Sequence, residues 1–228
     1  MFKHSKKKFN IPEIVDTTTE AGRTYTLPSG RIVPSITTVL SINDKDWLSE
    51  WKANVGEMTA RRISEMATVR GDAVHAMVED YLNNVPRSKL VINREEDHRR
   101  MFNRLRFLLK HIHLIYAQEV GLYSEELGLA GRVDCIAKYK GELSIIDFKT
   151  STNIKDKDKI HNYFKQGAAY SVMWRELTGI SIDRIVILMA VQNSLVPLEF
   201  IESASNWIDP LKKDIKLFKE SNHGLELS

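Results

Sequence analysis

Residues 128–151, from Gly128 to Ser151, read GLAGRVDCIAKYKGELSIIDFKTS, and the rest of the chain can be read outward from them. Two runs suited to strands, Ala130 to Tyr139 and Leu143 to Thr150, flank a Lys140-Gly141 turn, which is the pattern of a β-hairpin. Side chains alternate along a strand, so Asp147 and Lys149 share one face while Ile146 and Phe148 share the other. Asp134 stands among apolar residues of the partner strand. Two carboxylates and a lysine thus converge on otherwise apolar strands, where an unpaired buried charge is costly. A divalent cation resolves this, because carboxylate oxygens and a backbone carbonyl suit Mg²⁺ or Mn²⁺. From Asp147-x-Lys149 alone a buried ion pair without chemistry is an equal alternative, and Asp134 tips the reading to the metal.

The surrounding chain is that of a protein with a substantial core: 228 residues with 43% hydrophobic content. Its 33 basic and 30 acidic residues leave a net charge of +3, so any basic surface facing nucleic acid has to be a local patch. Cys135 is the single cysteine, which excludes an intrachain disulfide and a four-cysteine iron–sulfur cluster. No membrane-spanning apolar run and no signal peptide is evident, so a cytoplasmic, non-secreted location is expected, the host cytoplasm if the chain is phage-encoded.

Residues 1–22, with Lys3, Lys6, Lys7 and Lys8, read as a flexible basic tail that could attract phosphate. Arg23 to Thr26 and Arg31 to Val33 suggest a small hairpin, and Pro34 to Leu40 starts a helix with Ser35 as N-cap. Trp47 and Trp51, one turn apart, are expected in the core rather than as base-stacking platforms. A helix from Gly56 to Tyr81 has Val74, Met77, Val78 and Tyr81 on one apolar face. By itself, its His75 reads as a satisfied structural histidine. The next helix, about Glu95 to Tyr116, turns Met101, Leu105, Leu108, Ile112 and Ile115 inward and leaves Arg99, Arg100, Arg104, Arg106 and Lys110 on a solvated face.

Glu119 to Leu127 reads as a strand entering the hairpin, with Glu125 and Glu126 as further acidic candidates. Residues 152–159 form a charged loop of the kind that covers a site. A helix from Ile160 to Leu177 carries Tyr163, Gln166, Tyr170 and Trp174, and Gly179 caps it. Ile185 to Val191 reads as a buried central strand, Val196 to Ile201 as the next, and Trp207 to Lys219 as an amphipathic closing helix.

In order along the chain, Arg70-Gly71-Asp72-Ala73-Val74-His75, Glu125, Gly131-Arg132-Val133-Asp134, Ile146-Asp147-Phe148-Lys149-Thr150-Ser151 and Gln166-Gly167-Ala168-Ala169-Tyr170 resemble the motif series of the RecB-like branch of the PD-(D/E)xK nucleases. The nearest likeness is to the mitochondrial genome maintenance exonuclease group and its bacteriophage relatives. Each motif is weak alone; the ordered set, over about residues 30–200, is what carries the resemblance. Val133 stands where the motif name promises proline, as in many members of the branch.

The resemblance implies an α/β, restriction-endonuclease-like fold: a mixed central sheet flanked by helices, with an N-terminal helical region. One nuclease domain would span residues 23–228, with a helical part at about 34–117, a sheet core at about 118–202 and a closing helix at about 204–220. It implies metal ligation by Asp134, Asp147 and the Phe148 carbonyl, with His75 as a further ligand and Glu125, rather than Glu126, in or beside the metal shell. Lys149 would be the catalytic lysine, and Gln166 and Tyr170 would support the lysine or the strand. The implied activity is a Mg²⁺- or Mn²⁺-dependent DNA exonuclease acting on single strands or free ends in replication, recombination or repair. A structure-directed endonuclease and a catalytically idle DNA-binding module are the alternatives. A helicase, polymerase or single-strand-binding protein would be fitting partners, since the chain has no room for a motor of its own.

Overall fold

The structure is a computed structural model that describes residues 1–90, 92 and 94–221; residues 222–228 of the expected domain lie outside the described residues. In chain order the elements are β1 (Lys3–His4), β2 (Val15–Thr19), β3 (Gly22–Thr26), β4 (Ile32–Pro34), α1 (Ile36–Leu40), α2 (Lys45–Val55), α3 (Glu57–Leu82), α4 (Arg87–Leu90) and α5 (Glu96–Leu109). Then follow β5 (Ile112–Ser124), β6 (Leu129–Tyr139), β7 (Glu142–Ser151), α6 (His161–Thr178), β8 (Arg184–Val191), β9 (Leu198–Ser203) and α7 (Ser205–Ser221).

Six strands form one mixed sheet in the order β1-β5-β6-β7-β8-β9, and β2-β3-β4 form a small second sheet. The β6–β7 hairpin closes at Tyr139 and Glu142, and both turn residues have positive φ, 51° at Lys140 and 91° at Gly141. This is the geometry of a type I′ turn, whose twist matches that of the strands it joins. β8 pairs parallel with β7 and antiparallel with β9, and seven of its eight residues are buried, as its unbroken apolar run predicts.

Helices cover both faces of the large sheet. On one side, Val74, Met77 and Val78 of α3 and Met101, Leu105 and Leu109 of α5 pack against Cys135, Ile146, Phe148 and Leu188. On the other, α1, α6 and α7 bring Ile36, Tyr170, Trp174 and Leu211 onto Val133, Ile136 and Ile145. Ser35 caps α1 as expected, its Oγ accepting from Thr38 N–H at 3.0 Å. Gly179, with φ 74°, caps α6. No helix among the described residues is long and apolar enough to cross a membrane.

Four expectations need correction. The helix expected through Tyr116 stops at Leu109, and Ile112 and Ile115 belong to β5. The spacing of these two residues fits a helix, but the bulges of β5 between Ile112 and Ala117 give the same inward spacing in a strand. The N-terminal segment is not free: Lys3 and His4 pair with Leu114 and Ile115, Val15 to Thr19 pair with β3, and Phe9 packs edge-on against Trp174. Trp47 and Trp51 stack on each other at 5.9 Å, but Trp47 is 63% exposed, because none of the described side chains of α2 is buried. Finally, Arg104 does not face solvent: it donates to the carbonyls of Val191 and Gln192, both at 2.9 Å, and caps the end of β8.

Candidate active site

The β6–β7 ladder ends at the pair Cys135 and Ile146, one step short of Asp134 and Asp147. Beyond that pair the Phe148 N–H donates to Asp134 Oδ2 at 2.7 Å instead of to a strand carbonyl. The splay leaves both carboxylates at one end of the hairpin. Lys149 follows on the face of Asp147, and its Nζ donates to Asp147 Oδ1 at 2.6 Å. Asp147 Oδ2 is buried and has no hydrogen-bond partner. An orphan carboxylate oxygen in a core calls for an explanation, and ligation of a cation is one.

Two further residues close the group. His75, on α3, sets Nδ1 3.7 Å from Asp134 Oδ2 and its ring edge-on to Phe148. Glu119, on β5, falls between Gln118, which faces Cys135, and Val120, which faces Val133, so that it lies across from Asp134. One ligand atom from each of His75, Glu119 and Asp134 lies within 4.8 Å of the others. The sequence reading did not select Glu119.

It selected Glu125, and the geometry corrects that choice. Glu125 lies past the end of β5, in the turn before β6, where it accepts from Ser29 Oγ at 2.9 Å and pairs with Arg31 at 3.4 Å. Six residues beyond Glu119 along an extended strand is a distance of ~20 Å, too far to reach the same ion. Glu126, its neighbour, lies 3.9 Å from Lys212 on α7. Both glutamates therefore anchor the turn and not the acidic group.

The electrostatics of the group are those of carboxylates crowded out of water. Burial pushes the Asp147 carboxyl up to about 6, Lys149 pulls it back and Asp134 adds to the rise. Burial, with Asp134 and Glu79, likewise pushes Glu119 up to about 7. For Lys149, burial favours the neutral amine, but Asp147 and then Asp134 outweigh it, so the ammonium is held above its ordinary range. A dication would relieve this repulsion, and the donor set of oxygens with one imidazole fits Mg²⁺ or Mn²⁺.

Helix α6 forms the opposite wall. Gln166 Nε2 donates to the Tyr170 hydroxyl at 3.1 Å, and that hydroxyl donates to the Arg132 carbonyl at 2.8 Å. This chain ties the helix to β6 two residues from Asp134. Tyr170 can lie so close because Gly131 has no side chain: a Cβ there would meet the Tyr170 ring and hydroxyl at 3.0 Å. A cleft of about 490 Å³ opens here, lined by His75, Glu79, Glu119, Asp134, Gln166 and Tyr170 among others. Of the residues picked from the sequence, His75, Asp134, Asp147, Lys149, Gln166 and Tyr170 come together, and Phe148 joins through its N–H.

The family model described as the PD-(D/E)XK nuclease superfamily matches residues 49–195, more than half of the chain, a span that contains His75, Glu119, Asp134, Asp147, Lys149, Gln166 and Tyr170. Mitochondrial genome maintenance exonuclease 1 of Mus musculus is 27% identical over 140 residues, covering 58% of this chain and 40% of that protein. The Homo sapiens protein of the same name is 27% identical over 136 residues, covering 54% of this chain and 38% of that one. The matched part thus spans about two fifths of the length of these relatives. Among solved structures, the crystal structure of SSO0001 matches with a TM-score of 0.39 and 16% identity over 75% of this chain and 70% of that one. On the family match, the chain belongs to the PD-(D/E)XK nuclease superfamily.

Proposed function

We propose that this chain hydrolyses the phosphodiester bonds of DNA as a Mg²⁺- or Mn²⁺-dependent exonuclease acting on single strands or free ends. One observation carries the reading: ligand atoms of His75, Glu119 and Asp134 converge within 4.8 Å, beside the orphan oxygen of Asp147. Asp134, Asp147, Glu119 and His75 would hold the ion, with the Phe148 carbonyl as a further ligand by family likeness. When bound, the ion acidifies a water and offsets the charge of the phosphate under attack.

The chain's own groups do the rest. Asp147 Oδ1 accepts from the Lys149 ammonium and so fixes the direction of a donor that can orient water or meet the phosphate oxygens. Gln166 and Tyr170 hold the β6 backbone beside Asp134 and keep it from drifting when a strand enters. Two relatives that are named exonucleases support the preference for ends. The outer half of α3, where Ala60 is the only buried residue before Val74, stands clear of the sheet core and could guide a threaded strand.

The test compares end-labelled linear with circular single-stranded DNA, each with Mg²⁺, Mn²⁺ or EDTA, for the native chain and for Asp147→Ala and Lys149→Ala. Metal-dependent loss of the linear substrate alone, reduced by about 10³-fold or more in both variants, is the expected result. Cutting of both substrates would replace the exonuclease with an endonuclease. DNA binding without any metal-dependent product would leave a binding module.

A further inference from the structure

Tyr163, on the first turn of α6, stands between two ammonium groups. Lys149 Nζ lies 5.1 Å from the centre of its ring and Lys155 Nζ lies 5.5 Å from it, with Lys155 Nζ also 3.3 Å from the phenol oxygen. Lys149 has Asp147 as its counter-ion. Among the described residues no carboxylate pairs with Lys155: Asp156 is taken by Lys159 at 3.7 Å and Asp158 faces His161 at 3.9 Å. Lys155 is nevertheless half-buried, in the segment between β7 and α6 whose other residues from Thr152 to Lys159 are exposed.

Two like charges on one ring repel, and the phenol supplies only a modest attraction to each. A lysine free to leave would extend into water. Lys155 is instead folded back over Tyr163, four residues after the end of β7 and on the same ring that the ammonium of Lys149 approaches. The result is one surplus positive charge next to an acidic, metal-suited centre, a place that an anion spanning both would fill.

We propose that Lys155 contacts a phosphate of the bound strand next to the scissile one, and that Tyr163 is the positioning residue that sets Lys155 through its hydroxyl and Lys149 through its ring. The inference rests on the nuclease reading for its substrate, a nucleic-acid phosphodiester. Lys155 touches the strand and carries affinity, while Tyr163 acts through the two lysines.

The experiment measures binding of a single-stranded oligonucleotide in EDTA as a function of salt, and then kcat and KM for its digestion with Mn²⁺. Native chain, Lys155→Ala, Tyr163→Phe and Tyr163→Leu are compared. Lys155→Ala should reduce the salt slope of binding by about one and raise KM several-fold, with kcat within about twofold. Tyr163→Phe keeps the ring and frees Lys155, so KM should rise and kcat stay. Tyr163→Leu should in addition lower kcat about tenfold, a loss that Phe rescues and a general packing defect would not sort in this way. An unchanged salt slope in Lys155→Ala overturns the phosphate contact. A native kcat in Tyr163→Leu overturns the positioning of Lys149. If the native chain binds with the slope lost in Lys155→Ala but yields no product, the nuclease reading fails and the Lys155 contact stands.

Discussion

Glu119 has φ of 50°, a left-handed backbone conformation that a glutamate adopts at a cost of ~1–3 kcal/mol. The alternation of β6 is interrupted at the same level: Val133 packs with the α6 side and Cys135 with the α3 side, although two residues apart they should share a face. A strained residue opposite a break in the strand re-aims two carboxylates toward His75. Replacing Glu119 by Ala should therefore lower metal-supported cleavage by about 100-fold; it removes the carboxylate repulsion but keeps the backbone strain, because alanine retains the Cβ that causes it. Glu125→Ala, which removes a half-exposed pair with Arg31, should leave cleavage at the native level and shift stability by under ~1 kcal/mol. A cleavage assay on the two variants decides between them; native activity in Glu119→Ala would remove it from the metal shell. Asp134, Asp147 and Lys149 were legible in the sequence because polar residues on apolar strands announce themselves by alternation. Glu119 was not, because its place follows from the β5–β6 register and from a positive φ, and neither leaves a trace in the local residue pattern.

Helix α6 holds Tyr163, Gln166 and Tyr170, and its distance from the sheet is set by Gly167. A Cβ added there would lie 2.6 Å from Ile185 Cγ2 and within 3.1 Å of the Cγ1 and Cδ1 of the same side chain. Ile185 is fully buried and β-branched, so it has little room to yield, and Gly167→Ala should move the helix outward. The expected cost is ~1–3 kcal/mol, and each kcal/mol in a chain of this size lowers Tm by about 2–4 °C. Because Tyr170 reaches Arg132 from the same helix, kcat should fall along with Tm. Differential scanning calorimetry beside the oligonucleotide assay checks both, and an unchanged Tm would mean that Ile185 yields freely. At this scale the hairpin, α6 and β8 were readable: a turn with two positive-φ residues, a helical repeat ended by Gly179 and an unbroken apolar run are local signals. The start of β5 was not. Its bulges displace inward residues to three-residue spacing, and only pairing with Tyr139 and Ala137 of β6 identifies it as a strand.

Across the whole molecule, the first residues close the free edge of the large sheet. β1 lies beside β5, Phe2 packs edge-on against Tyr81 at 5.0 Å and Phe9 against Trp174 at 4.7 Å, so the segment touches cores on both faces. Four lysines in the first eight residues conceal this in the sequence, because composition reports the solvent side of a segment and is silent about two phenylalanines that bury one edge each. If the segment acts by packing, deletion of residues 1–10 exposes apolar surface around Tyr81 and Trp174 and uncovers a strand edge. Loss of two partly buried phenylalanines should then cost ~2 kcal/mol or more and lower Tm by about 4–8 °C, while the salt slope of DNA binding stays near that of the full chain. If instead Lys3, Lys6, Lys7 and Lys8 hold the strand, deletion should leave Tm nearly unchanged and reduce that slope by several units. Both quantities come from the same two samples. The packing geometry favours the first outcome, since a phosphate-binding arm has no need for aromatic contacts on opposite sides of the sheet.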